Sequence, residues 1–233
     1  MMRTLIFYLA VLPLTLLMSL LVIPISWIGA DAVHNWARLW GRIGLALTGI
    51  PLELEALELI PRDRPVVFMA NHQSNADILA LLAGIPVQFR WLAKAELFRI
   101  PAFGGAMRRA GYIPVERGDR RKALEGMKTA AARIAAGSSV AIFPEGTRTE
   151  DGRLREFKKG GFMVALQSGV PIVPVAIRGS YQIMPKYGRA VHGGRIRVTF
   201  FPPIETGGLS VRQLNELIAT VRAPIAAHLG ESA

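Results

Sequence analysis

The chain has 233 residues, of which 51% are hydrophobic and 19% charged, and a formal net charge of +11. This apolar content excludes a disordered chain, and the absence of cysteine excludes disulfide frameworks and thiolate zinc sites. The positive balance implies a negatively charged partner surface; because the basic residues are dispersed and no binding module with interleaved aromatics is present, lipid and phosphate fit it and nucleic acid does not.

Residues 1–49 form a first segment of distinct character. From Thr4 to Ala30 there is no charged residue, a stretch of roughly 27 residues that would measure about 40 Å as a helix, enough to cross a bilayer. Pro13 and Pro24 interrupt it, and each removes a helical hydrogen bond, so a bent or re-entrant insertion is also open. Arg3 and Ala30-Asp31-Ala32 resemble a cleaved secretory signal, but the apolar run is longer than a signal core, so retention is expected. Between 31 and 49, Trp36, Leu39, Trp40, Ile43 and Leu47 share one helical stripe, and Asn35, Arg38 and Arg42 lie opposite. That is the pattern of an interfacial helix with tryptophans at headgroup depth, or of a helix packed on a core. The expectation is a membrane-associated helical pair at the cell membrane, with the active site at the cytoplasmic face. Arg3 before the apolar run and Arg38 and Arg42 after it lend little to that orientation.

Residues 50–233 suffice for one catalytic domain. Leu52 to Leu59 alternates like an edge strand, and further strands are predicted near 65–70, 88–92, 112–115, 138–143, 171–177 and 195–201. Helical spacing falls at 74–83, 119–136, 160–168 and 210–228, with Gly137 as a stop. Such alternation predicts an α/β fold: a mixed, largely parallel sheet covered by helices, with ligands at the strand exits.

Two strand exits carry concentrated polar chemistry. Val66 to Ala70 runs into Asn71-His72-Gln73-Ser74-Asn75-Ala76-Asp77. On a regular helix, His72 and Asp77 would stand roughly 140° apart, so they meet only if the chain turns between them. With His72 in the loop and Asp77 in the first helical turn, the carboxylate can hold one ring nitrogen while the other takes a proton. Ser74 and Asp77 also fit a capping box, and the two readings are compatible. The second exit, after Ser138 to Phe143, is Pro144-Glu145-Gly146-Thr147-Arg148-Thr149. Here Gly146 allows close approach to the backbone, Thr147 offers a hydroxyl, and Arg148 offers a planar fork for phosphate.

These two motifs, with Lys94-Ala95-Glu96-Leu97-Phe98 and Gly111 to Arg117 between them and Phe157 to Gly161 and Val170 to Ala176 after them, resemble the glycerophospholipid acyltransferase family. The bacterial 1-acylglycerol-3-phosphate acyltransferases are the nearest part of that family. The resemblance spans about residues 66 to 180. It implies that His72 is a general base taking a proton from the free hydroxyl of a glycerol phosphate lipid, and that Asp77 orients and charge-stabilises the imidazole. It implies that Arg117 and Arg148 hold the phosphate, with Lys94 and Lys159 as further cations, Glu145 beside the glycerol, and Gly146 and Thr147 completing the binding turn. The implied reaction makes phosphatidic acid from lysophosphatidic acid, with acyl-CoA or acyl carrier protein as co-substrate. Another lysolipid or an amino-acid lipid is an alternative acceptor, and a catalytically silent lipid-binding protein of the same fold is an alternative role.

No serine sits in G-x-S-x-G and there is no cysteine, which favours direct transfer over a covalent enzyme intermediate. His34, His192 and His228 lack metal-ligand spacing, so no metal and no cofactor is expected.

Overall fold

The structure is a computed structural model that describes residues 1–116 and 120–231. Among the described residues, seven strands form one sheet, in the order β1-β7-β6-β2-β5-β3-β4. They are β1 (Leu52–Glu55), β2 (Val67–Ala70), β3 (Phe89–Lys94), β4 (Ile113–Val115), β5 (Ser139–Ile142), β6 (Ile172–Arg178) and β7 (Ile196–Phe200). Every neighbouring pair is parallel except β6 with β7. The central strands are continuous apolar runs because both faces are covered. Along β2 the pleat sends Phe68 and Ala70 into one apolar core and Val67 and Met69 into the other.

Helices α3 (Ala30–Thr48) and α4 (Ala76–Gly84) cover the first face. Helices α6 (Arg120–Ala135), α7 (Lys159–Ser168) and α9 (Leu214–Leu229) cover the second. Ahead of them, α1 (Met2–Ile6) and α2 (Leu12–Ile25) form one rod through a wider π turn at Phe7–Val11. That turn ends two residues before Pro13, whose ring cannot sit over a tight preceding turn and has no N–H to give. Two short helices, α5 (Phe103–Arg109) and α8 (Ser180–Ile183), arise in stretches where no helical period is readable.

Strand and helix placement follow the expected order, with one local departure. The predicted strand over 52–59 stops at Glu55, because Ala56 adopts φ +59° and turns the chain into a single 3₁₀ turn, Leu57–Leu59. The helical pair is not loosely tethered. At Gly41 of α3 an added Cβ would lie 2.9 Å from the Leu79 carbonyl oxygen of α4, a backbone-to-backbone approach that only glycine permits.

Candidate active site

β2 and β5 are adjacent and parallel, so their carboxyl ends open on the same edge of the sheet. Just past β2, the buried Asn71 holds the backbone of β6: its Nδ2 donates to the Ile177 carbonyl (2.9 Å), and its Oδ1 accepts from the Ile177 N–H (2.7 Å). The chain is thus fixed one residue before the histidine. The His72 backbone is then gripped from the second motif. Its N–H donates to Glu145 Oε1 at 2.6 Å, and its carbonyl accepts from the Thr149 N–H at 2.9 Å.

The His72 ring lies flat on Phe143, with centroids 3.8 Å apart and planes 10° from parallel, and Trp91 continues the stack beyond Phe143. Its Nδ1 stands 2.8 Å from Asp77 Oδ2. The chain turns between the two residues, so the five-residue spacing that separates them on a helix brings them together here. Asp77 Oδ2 also accepts from the N–H groups of Gln73 and Ser74, each at 2.7 Å, while the Ala76 N–H donates to Ser74 Oγ at 3.0 Å. The helix start and the His–Asp pair are therefore one device. An ionised carboxylate only accepts hydrogen bonds, so Nδ1 carries the proton and Nε2 presents its lone pair.

Glu145 lies directly beneath the base. It is buried, its Oε1 accepts from His72 N–H and its Oε2 from Arg155 N–H at 2.9 Å. With both oxygens engaged by backbone, it is a strut under the base. Burial pushes its carboxyl up to about 7, against the lowering effect of those two N–H bonds and with a smaller raising effect from the Asp77 charge. Gly146 takes φ +74°, and the space where a Cβ would sit is filled by the Lys158 side chain at 3.0 Å.

A cavity of about 450 Å³ opens in front of His72, within the size range of ligand pockets. Lys94, Thr147, Arg148 and Lys186 lie on its wall with His72, and Met18, Val22, Leu82 and Met107 make the remainder apolar. Lys94, at the end of β3, is also paired with Glu96 at 3.1 Å. Lys159 does not join this group; it is the exposed first residue of α7. Arg117 lies outside the described residues.

The tryptophans of α3 follow the packed reading of their stripe. Trp36 Nε1 donates to the Met18 carbonyl at 3.0 Å and Trp40 Nε1 to Thr15 Oγ1 at 2.9 Å, and both rings line the cavity. They join α3 to α2 over the cavity. An indole N–H near a partly buried surface takes whichever acceptor is nearest, and here the neighbouring helix supplies it. Sequence reading assigned no role to Asn71, Phe143, Trp91 or Lys186. Phe143 was the most accessible of these, as the residue that closes strand β5 on the site edge.

A family model described as Acyltransferase matches residues 51–178, a span that contains both strand exits. The chain belongs to the acyltransferase family. Among curated relatives of this family, the chloroplastic 1-acyl-sn-glycerol-3-phosphate acyltransferase of Arabidopsis thaliana is 39% identical over 173 residues, covering 73% of this chain and 48% of its own length. The 1-acyl-sn-glycerol-3-phosphate acyltransferase of Cocos nucifera is 30% identical over 217 residues, covering 93% of this chain and 70% of its own. The chain thus spans about half the length of the chloroplast relative. Among solved structures, the 1-acyl-sn-glycerophosphate acyltransferase of Thermotoga maritima superposes with a TM-score of 0.85 at 26% identity, over 98% of this chain and 93% of that one. Family membership and a shared sheet and helix arrangement accord with the geometry of the two strand exits.

Proposed function

We propose that this acyltransferase moves a fatty acyl chain from a thioester to the free hydroxyl of lysophosphatidic acid, giving phosphatidic acid. The observation that carries the reading is His72, with Nδ1 held by Asp77 and its ring on the wall of a largely apolar cavity. Nε2 takes the hydroxyl proton as the oxygen attacks the thioester carbonyl, and the Asp77 carboxylate stabilises the imidazolium that forms. The tetrahedral intermediate collapses, the carbon–sulfur bond breaks, and the thiolate leaves with the proton from His72. The apolar wall receives a hydrocarbon chain and excludes water, which favours the alcohol over hydrolysis. Arg148 and Lys94 provide charge for the phosphate, with Arg117 as the further cation of the second motif. No cofactor is required; acyl-CoA or acyl carrier protein is the co-substrate.

In this reading residues 1–49 dock the enzyme on its lipid and residues 50–233 carry the chemistry. Met2–Ile25 is long and apolar enough to cross a membrane, and Leu9, Leu16, Leu20 and Ile23 are exposed along it. Both of its ends, however, are tied to the rest of the protein. The Val191 N–H donates to Thr4 Oγ1 and Arg109 Nε to Ser26 Oγ, each at 3.0 Å. A rod held at both ends by one domain favours lying along a bilayer over passing through it. Solubility of the thioester donors supports a site at the cytoplasmic face of the cell membrane.

The test is transfer of a labelled acyl chain from acyl-CoA and from acyl carrier protein to lysophosphatidic acid, using protein in detergent or liposomes. His72→Ala should lower kcat by roughly 10²–10⁴-fold with unchanged folding. Full activity in that variant refutes the mechanism, and transfer only to other lysolipids refutes the acceptor.

A further inference from the structure

Lys186 sits in the turn after α8, closed by the Gly188 N–H donating to the Pro185 carbonyl at 3.0 Å. Its side chain is only 16% exposed and lines the cavity with His72, Thr147 and Arg148. Its Nζ lies 2.8 Å from Glu150 Oε1 and 5.0 Å from the centroid of the Tyr187 ring. The same Glu150 oxygen accepts from Tyr187 Oη at 3.0 Å, and the Glu150 carbonyl accepts from Tyr181 Oη at 2.9 Å. The 150 segment and the 180s segment are thereby bound together beside Arg148. An ammonium has three donors, and its contacts with Glu150 and Tyr187 leave at least one available. Glu150 is itself 55% exposed, and an ion pair to so open a carboxylate is weak, so a dianion can displace it.

The placement follows from the acceptor's own chemistry. In a 1-acylglycerol 3-phosphate the phosphate-bearing carbon is bonded directly to the carbinol carbon, so the base that deprotonates the hydroxyl has the phosphate next to it. We propose that Lys186 is a specificity-determining residue that binds the acceptor's phosphate together with Arg148, with Glu150 holding the ammonium in place between turnovers. This rests on the acceptor assignment made above. The phosphates of a coenzyme A donor offer the same chemistry, and the experiment separates the two sources.

Michaelis constants for lysophosphatidic acid and for each thioester donor should be measured on the full chain and on Lys186→Met, Lys186→Arg and Glu150→Gln. Loss of a hydrogen bond to a charged group predicts that Lys186→Met raises the acceptor KM roughly 10- to 100-fold. Donor KM should stay within about twofold and kcat fall little, since charge on bound substrate is read mainly as affinity. Lys186→Arg should recover most of the loss, and Glu150→Gln should leave acceptor KM unchanged or lower. An unchanged acceptor KM in Lys186→Met, or a rise confined to the coenzyme A donor, overturns the assignment. A second measurement needs no variant: glycerol 3-phosphate, but not glycerol, should protect Lys186 of the unmodified protein from an amine-acetylating reagent, read by mass spectrometry. Equal labelling with both also overturns it. If the unmodified protein acylates no lysophosphatidic acid, the proposed function fails, while the protection experiment still decides the phosphate site.

Discussion

The two strand exits and the amino-terminal helical pair stand on opposite principles. At the exits each group that positions the base is held by backbone: Asn71 on Ile177, Asp77 on Gln73 and Ser74, and Glu145 on His72 and Arg155. The helical pair is held to the domain by the packing of α3 on α4 and by scattered contacts such as Tyr8 to Arg189, Thr4 to Val191 and Ser26 to Arg109, and turns leucines outward. Placing a base within hydrogen-bond reach of a substrate tolerates little error. Burying apolar surface in lipid is non-directional and needs only area. Small polar changes at the exits should therefore cost much, and comparable changes on the outer face of the rod should cost little chemistry.

The largest expected effect is at Asp77. Asp77→Asn keeps an acceptor for the helix start but can present an amide N–H to Nδ1, which favours the wrong tautomer; kcat should fall roughly 10²–10⁴-fold with a near-normal melting temperature, measured by transfer assay and calorimetry. A loss below tenfold would mean that the carboxylate does not govern the ring. Next is Glu145→Ala, which leaves the N–H groups of His72 and Arg155 without their acceptor. Stability should fall by about 1–3 kcal/mol, and kcat should drop more than either KM, a pattern that a substrate ligand would not give. A smaller effect belongs to the pair: Leu16→Glu with Leu20→Glu should reduce liposome flotation severalfold while leaving kcat on detergent-dispersed substrate within about twofold. Unchanged flotation would place the lipid-facing surface elsewhere.

The smallest effect is a pH dependence that again separates the regions. Burial raises the Glu145 carboxyl from 4.5 to about 7, so between these values the folded protein binds more protons at this residue than the unfolded chain. Its contribution to stability is therefore greatest below about pH 4.5 and declines as pH rises to about 7. Urea midpoints across that range should show this component in the unmodified protein and lose it in Glu145→Gln. An identical slope in the two proteins would contradict the burial effect.

Much of the sheet is legible in the sequence because a strand buried on both faces has to be a short apolar run, and each of β2, β5 and β6 is one. The His72–Asp77 pair is legible because only a turn can bring residues of that spacing together, and the Ser74 cap announces that turn. Glu145 is not legible in the same way. An acid in an irregular loop can face solvent, ligand or backbone, and which one it faces depends on the N–H groups that β2 and the residues near Arg155 bring to it. Trp36 and Trp40 leave two readings open for a related reason: an apolar helical stripe reads alike whether lipid or another helix covers it. Lys186 lies in a turn with no period at all, and its place on the cavity comes from the way β6 returns beside β2.

Asn71 and His72 bond to partners 106 and 73 residues further along the chain. During synthesis the β2 exit therefore leaves the ribosome well before anything that can hold it, and contacts this distant in sequence form late. A nascent or truncated chain ending before Glu145 would carry the H-x4-D motif but lack both groups that grip the histidine's backbone. Proton abstraction is thus withheld from unfinished protein, and a stop codon anywhere upstream of β6 yields an inert fragment and not a misdirected catalyst.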